Sequence, residues 1–283
     1  MTARILVSPS VTEGKKMTST DIVSTAENNL IVYEMPLNDA IRICLRLENL
    51  FQQYDKSVRD QSPLATKNAM SAILKTLEVS DRPDIKSKLS QTLTQYSNAL
   101  TLLARSAQID AVKLQSTLKK LEALNHYLHT HHARIGESLR QNDFLSQIRS
   151  NLAIPGGACD YRLPAYMLWL NKSAQEKSAD LKSWMDVFQP LRDIIETVLY
   201  LTRDSAPLKS MTTDNGFYLQ ALNPMVPCPL IRLAISTQLN LYPEFSAGKH
   251  RITIRFLSPN YFGAGKATQV HHAIPFQLAC CKI

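Results

Sequence analysis

The hydrophobic period of this chain changes once, at Ser205, and that change dictates a two-part architecture. Upstream, apolar residues recur every three to four positions, the spacing of one helix face; downstream they alternate, the spacing of one sheet face. Between Pro36 and Asp204 the pattern is helical throughout. Ala40, Ile43, Leu47, Leu50 and Phe51 form the apolar line of a first helix, and Arg42, Arg46, Asn49 and Gln53 form a polar stripe at the same spacing. Ser62 and Pro63 supply the cap and first-turn proline of a second helix, whose expected buried side is Leu64, Ala69, Ile73, Leu74 and Leu77. A third helix follows Pro83 (Ile85, Leu89, Leu93, Tyr96, Leu100), and a fourth follows Asp110 (Leu114, Leu118, Leu121, Leu124, Leu128). Their short polar connection predicts antiparallel packing. A fifth helix over 142–152 runs into the turn Pro155-Gly156-Gly157. Short helices around Trp169 and Trp184 lead to a last one opened by Pro190, with Leu191, Ile194, Ile195, Val198 and Leu199 in step.

Beyond Ser205 the alternation is plain. Asn215-Gly216 carries a hairpin turn signal. Ile231, Leu233 and Ile235 oppose Arg232, Ala234 and Ser236; Ile252, Ile254 and Phe256 oppose Arg251, Thr253 and Arg255. An irregular loop follows Ser258, and a strand over 274–280 ends the pattern. An antiparallel sheet with one apolar and one polar face is the expected product. Ile31, Val32 and Tyr33 read as a short strand that joins it. The expected organisation is therefore a poorly ordered polar tail over 1–28, an N-terminal strand over 29–35, an α-helical domain over 36–204 and an antiparallel β domain over 205–283. The fold class is α+β.

Charge is distributed unevenly. Residues 36–204 hold 22 Lys/Arg against 18 Asp/Glu, whereas residues 205–283 hold 7 against 2. The second part suits an anionic partner: an acidic peptide, a nucleic acid or an anionic surface. The milder alternative is charge that only maintains solubility. No apolar run approaches the roughly 18 residues needed to cross a bilayer. The N-terminal residues show no secretory pattern, and five scattered cysteines point to a reduced, cytoplasmic protein.

Catalytic chemistry finds little support. His126 and His129 share a helix face, but no carboxylate or cysteine stands at ligand spacing, so no metal site is expected. Cys159 lacks a base and an oxyanion site and reads as structural. Phosphate loops, dinucleotide fingerprints and serine elbows are absent from the sequence. A non-enzyme without cofactors is expected. What remains is a basic sheet face: Arg232, Arg251 and Arg255, with Lys249 at the preceding turn. Arg251 and Arg255 point to one side, about 13 Å apart along the strand. Each can fork onto a carboxylate, and Arg46 would join them if that sheet packed beside the first helix. Alternatively, these arginines pair with carboxylates of the helical part and fix the domain interface.

An ordered set of short patterns carries a resemblance. It begins with Pro36-Leu37-Asn38-Asp39, Arg42, Leu45-Arg46, Glu48 and Leu50. The segment Ile154 to Pro164 follows, then Arg203-Asp204-Ser205-Ala206-Pro207, Asn215-Gly216-Phe217-Tyr218 and Leu241-Tyr242-Pro243. Arg251 to Phe256 and Leu278-Ala279-Cys280-Cys281 complete it. From about Tyr33 to Cys281 the chain resembles the ZapD family, bacterial cell-division proteins that bind and crosslink FtsZ filaments. The resemblance implies a helical domain joined to a curved antiparallel β domain, assembly as a homodimer, and binding of the FtsZ C-terminal tail by basic residues around a cavity. Carried over by position, the implied tail-binding residues are Arg46, Arg140, Lys249, Arg251 and Arg255, and Arg232 joins them from the basic sheet face. It also implies recruitment to the septal Z-ring at midcell, with no membrane partner. The competing expectation is a nucleic-acid-binding protein that uses the same basic face; no stacking platform accompanies it.

Overall fold

The computed structural model describes residues 29–60, 62–103, 110–157, 159, 161–248 and 250–282. The expected tail over 1–28 and the candidate Lys249 lie outside the described residues.

Helix starts follow local chemistry. After strand β1 (Leu30–Pro36), Asn38 Oδ1 accepts from Ile41 N–H at 2.8 Å and opens α1 (Asp39–Arg59). Ser62 Oγ accepts from Ala65 N–H at 3.2 Å, with Pro63 in the first turn of α2 (Pro63–Ser80). Such caps satisfy amides that have no partner inside the helix and are worth about 1 kcal/mol each. Helix α3 (Ile85–Leu103) precedes α4 (Ala111–Thr130), whose first amides donate to Asp110. Then come α5 (Glu137–Arg140), α6 (Asp143–Leu152), α7 (Pro164–Leu170), α8 (Ala174–Asp186) and α9 (Gln189–Asp204). The four-residue α5 is too short to leave a periodic signal. Helix α9 is central: Leu191, Ile194, Ile195, Val198 and Leu199 are all buried, and it touches α1, α3, α4 and the last strand. Phe188, just before it, is fully buried. Burying each such side chain stabilises by about 1.5–3 kcal/mol.

Two expectations about helix faces need correction. Leu64, assigned to the buried side of α2, is 67% exposed, because it sits in the first turn, beyond the helical core. In α4 only Leu121 and Leu128 are buried. That helix leans mainly on α3 and leaves Leu114, Leu118 and Leu124 half covered.

After α9 come β2 (Lys209–Thr213), β3 (Phe217–Ala221), β4 (Leu230–Ser236), β5 (Tyr242–Ala247), β6 (Arg251–Ser258), the two-residue β7 (Thr268–Gln269) and β8 (Ile274–Cys281). They form two sheets rather than one. The first has the order β1-β4-β8-β2; the second has the order β3-β6-β5, with β7 also on β6. All pairs are antiparallel. The Asn215-Gly216 turn therefore passes the chain from one sheet to the other, since β2 pairs with β8 and β3 with β6. Gly216 adopts φ 67°, and a Cβ there would lie 2.1 Å from the Val270 carbonyl oxygen, so no other residue fits without a backbone shift.

Alternation in the first sheet serves two cores. Ile231, Leu233, Ile235, Ile274, Phe276 and Leu278 face the second sheet and meet Ile252, Ile254 and Phe256. Leu230, Ala279 and Cys281 face the other way, into the helical core. The result is a stack of helices, first sheet and second sheet. The fold is α+β, with N-terminal helices followed by antiparallel sheets.

Candidate partner-binding surface

The outer face of the second sheet is the surface the sequence singled out, and strand register defines its composition. Arg255 on β6 stands between Phe217 on β3 and Glu244 on β5; Thr253 stands between Leu219 and Ser246; Arg251 stands opposite Ala221. Residues opposite one another share a face, so two arginines and two apolar side chains point outward together. Phe217 is 39% and Leu219 49% exposed. Arg255 Nη2 donates to Glu244 Oε2 at 2.5 Å, with both side chains about half exposed. Arg251 is exposed and has no carboxylate within ion-pair distance among the described residues. Its carbonyl oxygen accepts from Gly248 N–H at 2.9 Å, which pins the turn between β5 and β6.

Arg232 lies elsewhere. It is on the helix-facing side of the first sheet, where its Nε donates to Glu34 Oε1 at 3.0 Å directly across β1 and β4. Glu34 also accepts from Arg203 of α9, and Arg203 forks onto Glu48 of α1 at 2.6 and 2.7 Å. Hydrogen bonds to Glu48 first, and then to Glu34, hold the Arg203 guanidinium well above its ordinary pKa against the opposing effect of burial. Arg232 thus belongs to a bridge between helices and sheet, the alternative role considered for these arginines.

Arg140 is also engaged internally. It donates to Asp81 at 2.5 Å, to the Ile135 carbonyl at 2.6 Å and to Ser80 Oγ at 3.4 Å, and its side chain is only 12% exposed. Those contacts tie the end of α2 to α5. Arg46 is exposed on α1, with no ion pair among the described residues. Arg46 stands on a helix of the helical core, whereas Arg251 and Arg255 stand on the sheet packed against the other face of the first sheet.

Phe217 and Leu219 were missed as surface residues. Their segment, Phe-Tyr-Leu-Gln-Ala, has apolar residues on both faces, and only pairing with β6 shows that Tyr218 turns inward while Phe217 and Leu219 turn out. The histidines form no metal cluster: among the described residues no group of three or more His, Cys, Asp or Glu side chains can hold an ion. His129 Nε2 lies 3.0 Å from Ser90 Oγ, within the polar seam of α3 and α4. No described helix is long and apolar enough to cross a membrane.

Comparison with known proteins places this architecture. A family model described as a cell division protein, ZapD, matches residues 45–255. A cell division protein ZapD of Coxiella burnetii (strain RSA 331 / Henzerling II) is 44% identical over 253 residues, covering 89% of this chain and 98% of the relative. Those of Ralstonia pickettii (strain 12J) and Methylococcus capsulatus (strain ATCC 33009 / NCIMB 11132 / Bath) are 35% and 33% identical, each across 89% of this chain and 98–99% of the relative. With most of both chains aligned at this identity, the chain belongs to the ZapD family of cell division proteins.

Proposed function

We propose that this protein binds the acidic C-terminal tail of FtsZ and, as a homodimer with two such sites, crosslinks FtsZ filaments in the cytoplasm and at the midcell Z-ring, without catalysis. The observation that carries the reading is the mixed outer face of the second sheet. Arg251 and Arg255 can fork onto carboxylates of the tail while Phe217 and Leu219 receive its apolar side chains. Arg46 supplies a further exposed cation, and Lys249 belongs to the same basic strand in sequence. Arg140 and Arg232 contribute by holding the frame. A micromolar site corresponds to about 8 kcal/mol, and two on one dimer gain from the high effective concentration of tails along a filament. Glu244 beside Arg255 suits a peptide of mixed character better than a phosphate backbone, which disfavours the nucleic-acid reading.

The test is co-sedimentation with GTP-assembled FtsZ, either intact or lacking its tail. Bundling of intact FtsZ alone is expected, weakening as salt rises. Arg251→Glu should abolish bundling while the protein stays folded. Normal bundling by that variant refutes the site, and binding to neither FtsZ form refutes the partner.

A further inference from the structure

Cys228 and Cys280 are brought together by the sheet, whereas the neighbouring Cys281 is turned away. Cys280 stands opposite Ile231 in the β4–β8 pair and packs at the edge of the inter-sheet core. Cys281, one residue on, faces the helical core and is fully buried. Consecutive strand residues point to opposite faces, so these two thiols cannot meet within the strand. Cys228 precedes β4 in the run Pro227-Cys228-Pro229, and the Pro229 carbonyl accepts from Leu37 N–H at 2.8 Å. That anchor folds the Cys228 thiol over the start of β4, with Sγ 3.6 Å from the Leu230 carbonyl oxygen, against the same core edge as Cys280. The two thiols lie close enough for each to shift the ionisation of the other. Both side chains are half buried, and Cys280 opens onto a crevice lined by Ser205, Lys209, Gln220 and Lys282.

We infer that Cys228 and Cys280 form a peroxide-oxidisable thiol pair, with Cys280 as the attacking sulfur and Cys228 as the resolving one. Interaction with the neighbouring Cys228 thiol, and next the Lys282 ammonium, lower the Cys280 thiol to about 7 against burial, whereas the same interaction and burial push Cys228 up. Cys280 also opens onto the crevice lined by Lys209 and Lys282, which places its sulfur beside cations and within reach of a small oxidant, so Cys280 is the attacking sulfur. In the first step the Cys280 thiolate attacks one oxygen of a hydroperoxide. The O–O bond breaks, sulfur is oxidised to the sulfenic acid, and the other oxygen leaves as alkoxide or hydroxide and takes up a proton. In the second step Cys228 sulfur attacks the sulfenic sulfur. The S–S bond forms, the S–O bond breaks, and the hydroxyl leaves with the Cys228 proton as water. Two thiols and one hydroperoxide give one disulfide, one alcohol or water, and one water. The product ties the Pro227–Pro229 segment to β8.

The experiment begins with native alkylation by iodoacetamide at neutral pH, read by peptide mass spectrometry. Cys280 should react about tenfold or more faster than the half-buried Cys159, and Lys282→Gln should slow it. Stoichiometric hydrogen peroxide should then yield a peptide pair joined through Cys228 and Cys280, two mass units lighter than the reduced pair. With Cys228→Ser, a dimedone-trapped sulfenic acid at Cys280 should replace the crosslink. An alkylation rate at Cys280 no greater than at Cys159, or oxidation that leaves these two thiols unlinked, overturns the inference.

Discussion

Replacing Arg203 by methionine isolates the bridge that joins helices to sheet. The guanidinium makes four charge-assisted hydrogen bonds: to Glu34 at 2.9 and 2.7 Å and to Glu48 at 2.6 and 2.7 Å. The three side chains are 27%, 17% and 21% exposed, so water screens them only in part. Removing one member of a buried pair costs about 3–5 kcal/mol, mostly by leaving a carboxylate without its counter-charge. Glu34 keeps Arg232, whereas Glu48 keeps no ion-pair partner among the described residues, which places the expected loss at the lower end, about 3 kcal/mol. Methionine retains most of the aliphatic volume, so the loss reports charge rather than packing. Urea unfolding followed by the fluorescence of Trp169 and Trp184, which pack 5.7 Å apart in the helical part, provides the assay. The double variant Arg203→Met, Glu48→Gln should recover about 1–2 kcal/mol, a coupling that independent sites do not show. A single-variant loss below about 1 kcal/mol, the range of exposed ion pairs, would refute the reasoning, as would strict additivity in the double variant.

Two further outcomes follow from the geometry. Gly216→Ala should destabilise by about 2 kcal/mol or more, because it combines a left-handed φ with a Cβ placed against the Val270 carbonyl oxygen; a melting temperature within a degree of the parent would show that the turn can shift freely. Hydrogen bonding by Lys88, followed by the charge and hydrogen bonds of Arg82, holds the Asp39 and Asp84 carboxyls below their ordinary pKa. Their stabilising contribution is therefore complete above about pH 4 and is lost as pH falls through the depressed folded values. Lys88→Met should flatten the acid limb of a stability–pH curve without changing its slope between pH 5 and 7, and parallel acid limbs for parent and variant would exclude this cluster as the source.

Local chemistry made much of the fold legible. Asn-Asp, Ser-Pro and Asp caps mark helix starts by supplying acceptors for free amides, and the strict alternation of Ile252, Ile254 and Phe256 with Arg251, Thr253 and Arg255 survives in β6. The division into two sheets was not legible, because strand partners are chosen by long-range packing. A turn such as Asn215-Gly216 shows only that the chain reverses, and not which strands then pair. Arg232 and Arg255 look alike in sequence, since each alternates with isoleucines or phenylalanine. Glu34, nearly two hundred residues from Arg232, separates their roles by drawing that arginine into an internal bridge. Helix faces were least legible where a helix lies at the edge of the core, as α4 does, because a leucine periodicity states which side is apolar and not how much covers it.

Strand β8 carries a temporal consequence. It is the sole partner of β2, the central neighbour of β4, and a contributor to both the inter-sheet and the helical cores. It is also synthesised after every other element of the fold. During translation neither core is complete until β8 has been made, and β1 waits for β4 before its backbone is paired. Pairing of β2 and of the second edge of β4 therefore waits for β8, whereas Ile231, Leu233 and Ile235 can already meet Ile252, Ile254 and Phe256 of the second sheet. An edge of β4 that ends up interior to the finished sheet is thus left open until β8 arrives.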